Sequence, residues 1–197
     1  DGRREPAFQF TRQALQLFRQ AEDRKGEARA LHLLGYGYSL RHELDECIEC
    51  CQEALHIYRL LLNWRSEAAT LLSMGEHYLK ARKPREAISL AEDAYDIYAD
   101  HIGDDTLRLG RIEEPMADAL ACVMHGHLQK GEESRALRAV EDGLRTLQER
   151  GFKRGAVATL VAKASACAVL HRMGDSASAL EEAHAAVQEL GDLRLEA

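Results

Sequence analysis

The strongest constraint on this chain is that it repeats itself. Displaced by 40 residues, Ala7-Phe8, Thr11, Ala14-Leu15 and Phe18 fall on Cys47-Ile48, Cys51, Ala54-Leu55 and Tyr58. Those fall in turn on Ala87-Ile88, Ala91, Ala94-Tyr95 and Tyr98. Within each set the residues are spaced as one face of an α-helix. A second set lies between them: Leu31, Leu34-Gly35 and Tyr38 recur as Leu71, Met74-Gly75 and Tyr78, again one helical face. The unit is therefore a helix pair, A followed by B. A helix pair cannot bury its own apolar face, so it must stack on the next one.

The pattern assigns a leading half repeat at about 4–25, with its helix at 4–22, and pairs at 26–65, 66–105, 106–154 and 155–194. In the third pair, helix A carries Leu120, Val123-Met124 and His127, and helix B carries Ala136-Leu137, Val140, Gly143-Leu144 and Leu147. The step from Ala87 to Ala136 is 49 rather than 40 residues, so an insertion is expected near 102–114. In the fourth pair, Gly174-Asp175 marks a turn about one helical turn late, which predicts a longer helix A and a shorter helix B. Leu195-Glu196-Ala197 matches the start of a further A helix. With the leading helix lacking its A partner, both ends suggest a segment of a longer array or ends that dock on something.

Composition narrows the class. A net charge of −7 argues against a nucleic-acid binder, which needs a basic face. No apolar stretch approaches the roughly 20 residues of a membrane span. Three of the five cysteines crowd into Cys47, Cys50 and Cys51, which is not disulfide spacing. Free thiols point to a reducing compartment, intracellular and most simply the cytoplasm.

These residues resemble the tetratricopeptide repeat (TPR) family. Leu31, Leu34, Gly35, Tyr38, Cys47, Cys51 and Ala54 fill its consensus places, as do Leu71, Met74, Gly75, Tyr78, Ala87, Ala91 and Ala94. The longer period resembles the 40-residue variant found in kinesin light chains and in regulatory arrays of signalling proteins. The third pair departs by replacing the Gly with Met124 and the Tyr with His127, and Lys163 stands at a buried place in the fourth. The resemblance implies an all-α fold, an α-α superhelix of about nine antiparallel helices in one right-handed solenoid, with helix A on the concave side. It also implies a groove lined by Arg29, His32, Leu33, Tyr36 and Ser39, then Leu72, Ser73, Glu76 and Lys80, then Asp118, Ala121, Cys122, His125 and Gln129. Chaperone-binding members clamp a peptide carboxylate with Lys and Asn. Here those places hold His32 and Tyr36, Leu72 and Glu76, and Ala121 and His125, so the clamp is absent.

Other candidates each carry a plain alternative. Cys47 and Cys51 share a helical face that the next unit fills with Ala87 and Ala91, which favours packing over metal or redox chemistry. His125 and His127 are two apart on a helix and point to different faces, His125 to the groove, so they are poor joint ligands. Glu113-Glu114 and Glu132-Glu133 read as solvated helix starts. Trp64 sits in an inter-unit turn, either packed across it or exposed as an anchor for a partner. The 102–114 insertion is either a binding element or a tolerated surface loop. No nucleophile, phosphate-binding or metalloprotease motif occurs.

The expectation is a non-catalytic scaffold, with no cofactor and no metal, that binds a partner helix or peptide in the concave groove as part of a larger protein or multi-subunit assembly. Arg29, His32, Tyr36, Leu72, Glu76, Lys80, His125 and Gln129 are the partner-binding candidates. The alternative is a sensor module of a signalling or transcription regulator that binds a peptide or small effector. An RNA-binding repeat is disfavoured by the charge and by the Tyr/Ala pattern.

Overall fold

The computed structural model describes residues 4–101 and 110–195. Among the described residues the chain forms helices only, in the order α1 (Arg4–Gln20), α2 (Arg24–Leu40), α3 (Leu44–Leu60), α4 (Trp64–Lys80), α5 (Pro84–Asp100), α6 (Gly110–Gln129), α7 (Glu133–Glu149), α8 (Lys153–Val169) and α9 (Met173–Leu195). The expected all-α, TPR-like α-α superhelix is therefore present. α2, α4, α6 and α8 are the A helices, and α1, α3, α5, α7 and α9 are the B helices.

The turns explain the regular period. Backbone φ is positive at Glu22, His42, Leu62, Arg82, Gly131, Gly151 and His171, at intervals of 20 residues on either side of the third pair's insertion. In each such turn the chain closes a helix with a Schellman pair. Thus Glu43 N–H donates to Tyr38 C=O and His42 N–H to Ser39 C=O, and the same bonds recur from Asn63 to Tyr58 and from Lys83 to Tyr78. Among the described residues five that are not glycine tolerate the left-handed conformation, each at a cost of about 1–2 kcal/mol. Pro84 opens α5, where its missing N–H costs nothing.

Small residues let helices A and B of one unit approach. A Cβ on Gly35 would lie 2.6 Å from Cys51 Sγ and 3.2 Å from the Cys47 carbonyl, and one on Gly75 3.2 Å from the Ala87 carbonyl. Tyr58 and Tyr98 are buried between units, and Tyr38 stands edge-on to Phe8 at 4.9 Å. In the first two junctions the B helix is also tied to the next A helix by a repeated ion pair, Arg19–Glu27 at 2.9 Å and Arg59–Glu67 at 2.8 Å. α4 packs on α6 and α6 on α8, whereas no successive B helices pack to that extent. From α4 to α8 the A helices thus form the more closely packed layer, as expected for the inner side of a TPR-like curve.

Several boundaries differ from expectation. The units begin at Arg24 and Trp64, two residues early, because the turn before each A helix is only three residues long. The leading helix ends at Gln20 rather than at residue 22. Residues 102–109 of the expected insertion lie outside the described residues, and Gly110–Glu114 are the first turn of α6 rather than loop. The fourth pair turns at residues 170–172, with His171 left-handed, not at Gly174-Asp175. α8 therefore keeps 17 residues, and α9 is the longer helix at 23, the reverse of the expectation. Keeping α8 in step with α6 and α9 outweighs the cost of a left-handed histidine. α9 runs without a turn to Leu195, and Glu196-Ala197 lie outside the described residues.

Candidate functional site

Because all four A helices end in the same register, equivalent positions form rows along the concave layer. Tyr36, Glu76, His125 and Ser165 are equivalent, and each is exposed. So are Arg29, Ala69, Asp118 and Ala158, and so are Leu40, Lys80, Gln129 and Val169. Of the expected groove residues, Arg29, Tyr36, Glu76, Lys80, His125 and Gln129 therefore present accessible side chains. Tyr36 is 51% exposed, with Leu33 beside it at 62%. His125 Nδ1 donates to the Ala121 carbonyl of its own helix at 2.7 Å, and Gln129 Nε2 reaches across to the Leu79 carbonyl at 3.1 Å.

Two expected groove positions are corrected. Leu72, only 8% exposed, packs in the core shared by α3 to α9, and Cys122 is buried against Gly75. The inner face of α4 leans toward α6, and this contact takes both side chains out of the groove. Burial pushes the Cys122 thiol up to about 12, with Glu76 nearby adding to it. His32 is half-buried rather than open, 3.4 Å from Thr70 Oγ1 on α4.

The seam between α2 and α4 differs in chemistry from the later seams. Here the apolar core divides: one cluster joins α1, α2 and α3, another runs from α3 to α9, and a small one holds Cys47, Cys51 and Met74. Polar side chains bridge the gap. His77, 2% exposed, holds Ser39 Oγ at 2.8 Å through Nδ1 and Ser73 Oγ at 3.3 Å through Nε2. Burial lowers the pKa of His32, and neighbouring His77 lowers it further. Sequence reasoning missed His77 and Thr70. Column-by-column comparison could have found His77, because its equivalents are Gly37, Gly126 and Ala166.

The remaining candidates resolve as packing or capping. Cys47 and Cys51 are fully buried under Gly35 and Met74. Their mutual hydrogen bond raises the pKa of Cys51, and burial adds to it. Trp64 is the first residue of α4. It stacks on His101 at 4.4 Å and meets Tyr98 edge-on at 6.4 Å, so the packing reading holds. His127 is mostly buried and 2.8 Å from Glu132. Lys163 is partly buried and paired with Glu141 at 3.1 Å. Glu113 is not solvated. It is 9% exposed, and its Oε2 accepts from the N–H groups of Arg154 at 2.9 Å and Gly155 at 3.2 Å. The side chain turns inward because Phe152, the N-cap residue of α8, supplies no side-chain cap. Among the described residues no cluster of three or more His, Cys, Asp or Glu has the arrangement of a metal site, and no helix is long and apolar enough to cross a membrane.

Residues 26–100 match the Tetratricopeptide repeat family. The chain also superposes on the crystal structure of a Podosopora anserina protein described as a kinesin light chain with nearly identical TPR-like repeats. That match has a TM-score of 0.66 and 16% identity, and covers 96% of this chain and 89% of the other. A single-residue variant of the same protein gives 0.67 and 16%, covering 97% and 90%. At this identity the likeness is one of fold. No curated protein matches the sequence.

Proposed function

From the premise that residues 26–100 are tetratricopeptide repeats, we propose that this chain is a non-catalytic scaffold that binds a protein partner in its concave groove. Such repeats generally mediate protein–protein interaction. The observation that supports the groove is the aligned, accessible row Tyr36, Glu76, His125 and Ser165, which crosses all four units. A row of this kind suits a helix or an extended segment, because one partner can touch the same position of successive A helices. Tyr36 supplies an aromatic anchor of low conformational entropy. Glu76 supplies a negative charge at the centre, which favours a partner with basic and apolar side chains. Arg29, His32, Lys80 and Gln129 flank this row, and nucleic acid is not the expected ligand.

The test is site-specific photo-crosslinking in the full-length native protein. A photoreactive phenylalanine replaces Tyr36 or His125 in one pair of variants, and Arg145 on the outer helix α7 in a control. The reading expects one partner captured from Tyr36 and His125 but not from Arg145, and lost in the Glu76→Lys variant. Capture from Arg145 alone refutes the groove.

A further inference from the structure

The polar seam between α2 and α4 borders a half-open pocket of about 450 Å³ near the ends of both helices. Its polar lining is Ser39, His77 and Lys80, with exposed His42 at the rim, and its apolar walls are Leu40, Leu44 and Ala81. No carboxylate lines it. Among the described residues, no ion pair engages Lys80.

These polar residues break the array's own pattern together. Where α4 has His77, the other A helices have Gly37, Gly126 and Ala166. Where α2 has Ser39, the others have Leu79, Leu128 and Ala168. Where α4 has Ser73, they have Leu33, Cys122 and Ala162, and where it has Lys80 they have Leu40, Gln129 and Val169. Three columns turn polar at one junction and a fourth gains a positive charge there, and the array stacks without those side chains at every other junction. Concerted departures from a self-consistent pattern mark function rather than fold.

We propose that this cavity binds a small organic monocarboxylate, a carboxylate head on a short apolar stem. The chemistry follows from the lining. Lys80 provides a single positive charge, which matches a monoanion rather than a dianion. His77 Nδ1–H can donate to Ser39 Oγ, leaving the serine O–H free to donate to a carboxylate oxygen. Leu40, Leu44 and Ala81 then cover the stem, in a volume typical of small-molecule sites. The site borders the groove and shares Lys80 with it, but none of Tyr36, Glu76 and His125 lines it, so a Tyr36 variant separates its test from that of the groove.

The probe is sodium hexanoate titrated into the full chain, with amide chemical shifts as the readout and hexanamide as the uncharged control. Hexanoate is expected to shift Ser39, Leu44, Lys80 and Ala81 saturably, and hexanamide at least tenfold more weakly. Lys80→Gln and His77→Ala install residues the array already carries at Gln129 and Ala166, and circular dichroism checks that each variant keeps its helix content. Each is expected to weaken hexanoate at least fivefold, while Tyr36→Ala leaves it unchanged. Equal binding of hexanoate and hexanamide, no saturable shift, or affinity unchanged in both cavity variants overturns the proposal. Tighter binding of an acetylated tripeptide with a free C-terminal leucine, lost in the same variants, overturns it in favour of a peptide end.

Discussion

Removing the Glu113 side chain uncaps a helix in the neighbouring unit. Its Oε2 accepts two N–H groups at the start of α8, from Arg154 and Gly155, and a Cβ on Gly155 would lie 2.8 Å from the Glu113 carbonyl. No water can easily replace this cap, because both Glu113 and Gly155 are buried. Losing a helix cap costs ~1 kcal/mol, and a buried unpaired donor raises that by about 1 kcal/mol. Glu113→Ala is therefore expected to destabilise the chain by about 2 kcal/mol, lowering Tm by about 4–8 °C for a chain of this size. Glu113→Gln keeps an oxygen acceptor but loses the charge that favours a helix N-terminus, at a cost of about 1 kcal/mol. Urea unfolding followed by circular dichroism gives the magnitudes, and amide hydrogen exchange gives the location. Arg154 and Gly155 should exchange faster in both variants, and faster in Ala than in Gln. Because the cap couples two units, the urea slope should also fall as the fourth pair loosens from the third. Unchanged exchange at these two amides, or a loss below about 0.5 kcal/mol in Glu113→Ala, refutes the capping argument.

Glu132 is held down at about 2, by its hydrogen bond from Lys130 first and by His127 next. A carboxylate depressed in the folded state adds stability above its unfolded pKa of about 4.3 and loses it as pH falls toward the folded value. The stability gap between wild type and Glu132→Gln should thus be constant near neutrality and shrink below about pH 4.3; a gap independent of pH in that window contradicts the assignment. Leu62 is left-handed and 87% exposed, so Leu62→Gly should stabilise by about 0.5–1 kcal/mol once glycine's extra chain entropy is counted, as read from the urea midpoint. Leu71, 2% exposed, lies in the core shared by α3 to α9. Leu71→Ala should cost about 2–5 kcal/mol in the same assay, and a cost near zero would mean that the pairs do not stack through this face.

What the sequence alone determined is the repeating unit. The spacing of Leu31, Leu34, Gly35 and Tyr38 is set by the pitch of one helix, and the recurrence of that pattern specifies which faces stack. Gly35 and Gly75 could be read as close contacts because a helical glycine has few other uses there. Much of the exposed row is legible for the same reason, since Tyr36, Glu76 and His125 share one register. Tertiary structure decided what happens where units meet. Leu72 is drawn from groove to core by the lean of α4 toward α6, Glu113 turns inward to serve a helix 41 residues away, and His77 finds its serines on two helices. The turn at His171 belongs with these, since stacking against neighbours overrode the local signal of Gly174. Helical periodicity is a local property that a linear pattern carries in full. The fate of a polar side chain at a junction depends on donors and acceptors from distant segments, and only the packed helices bring those within hydrogen-bonding distance.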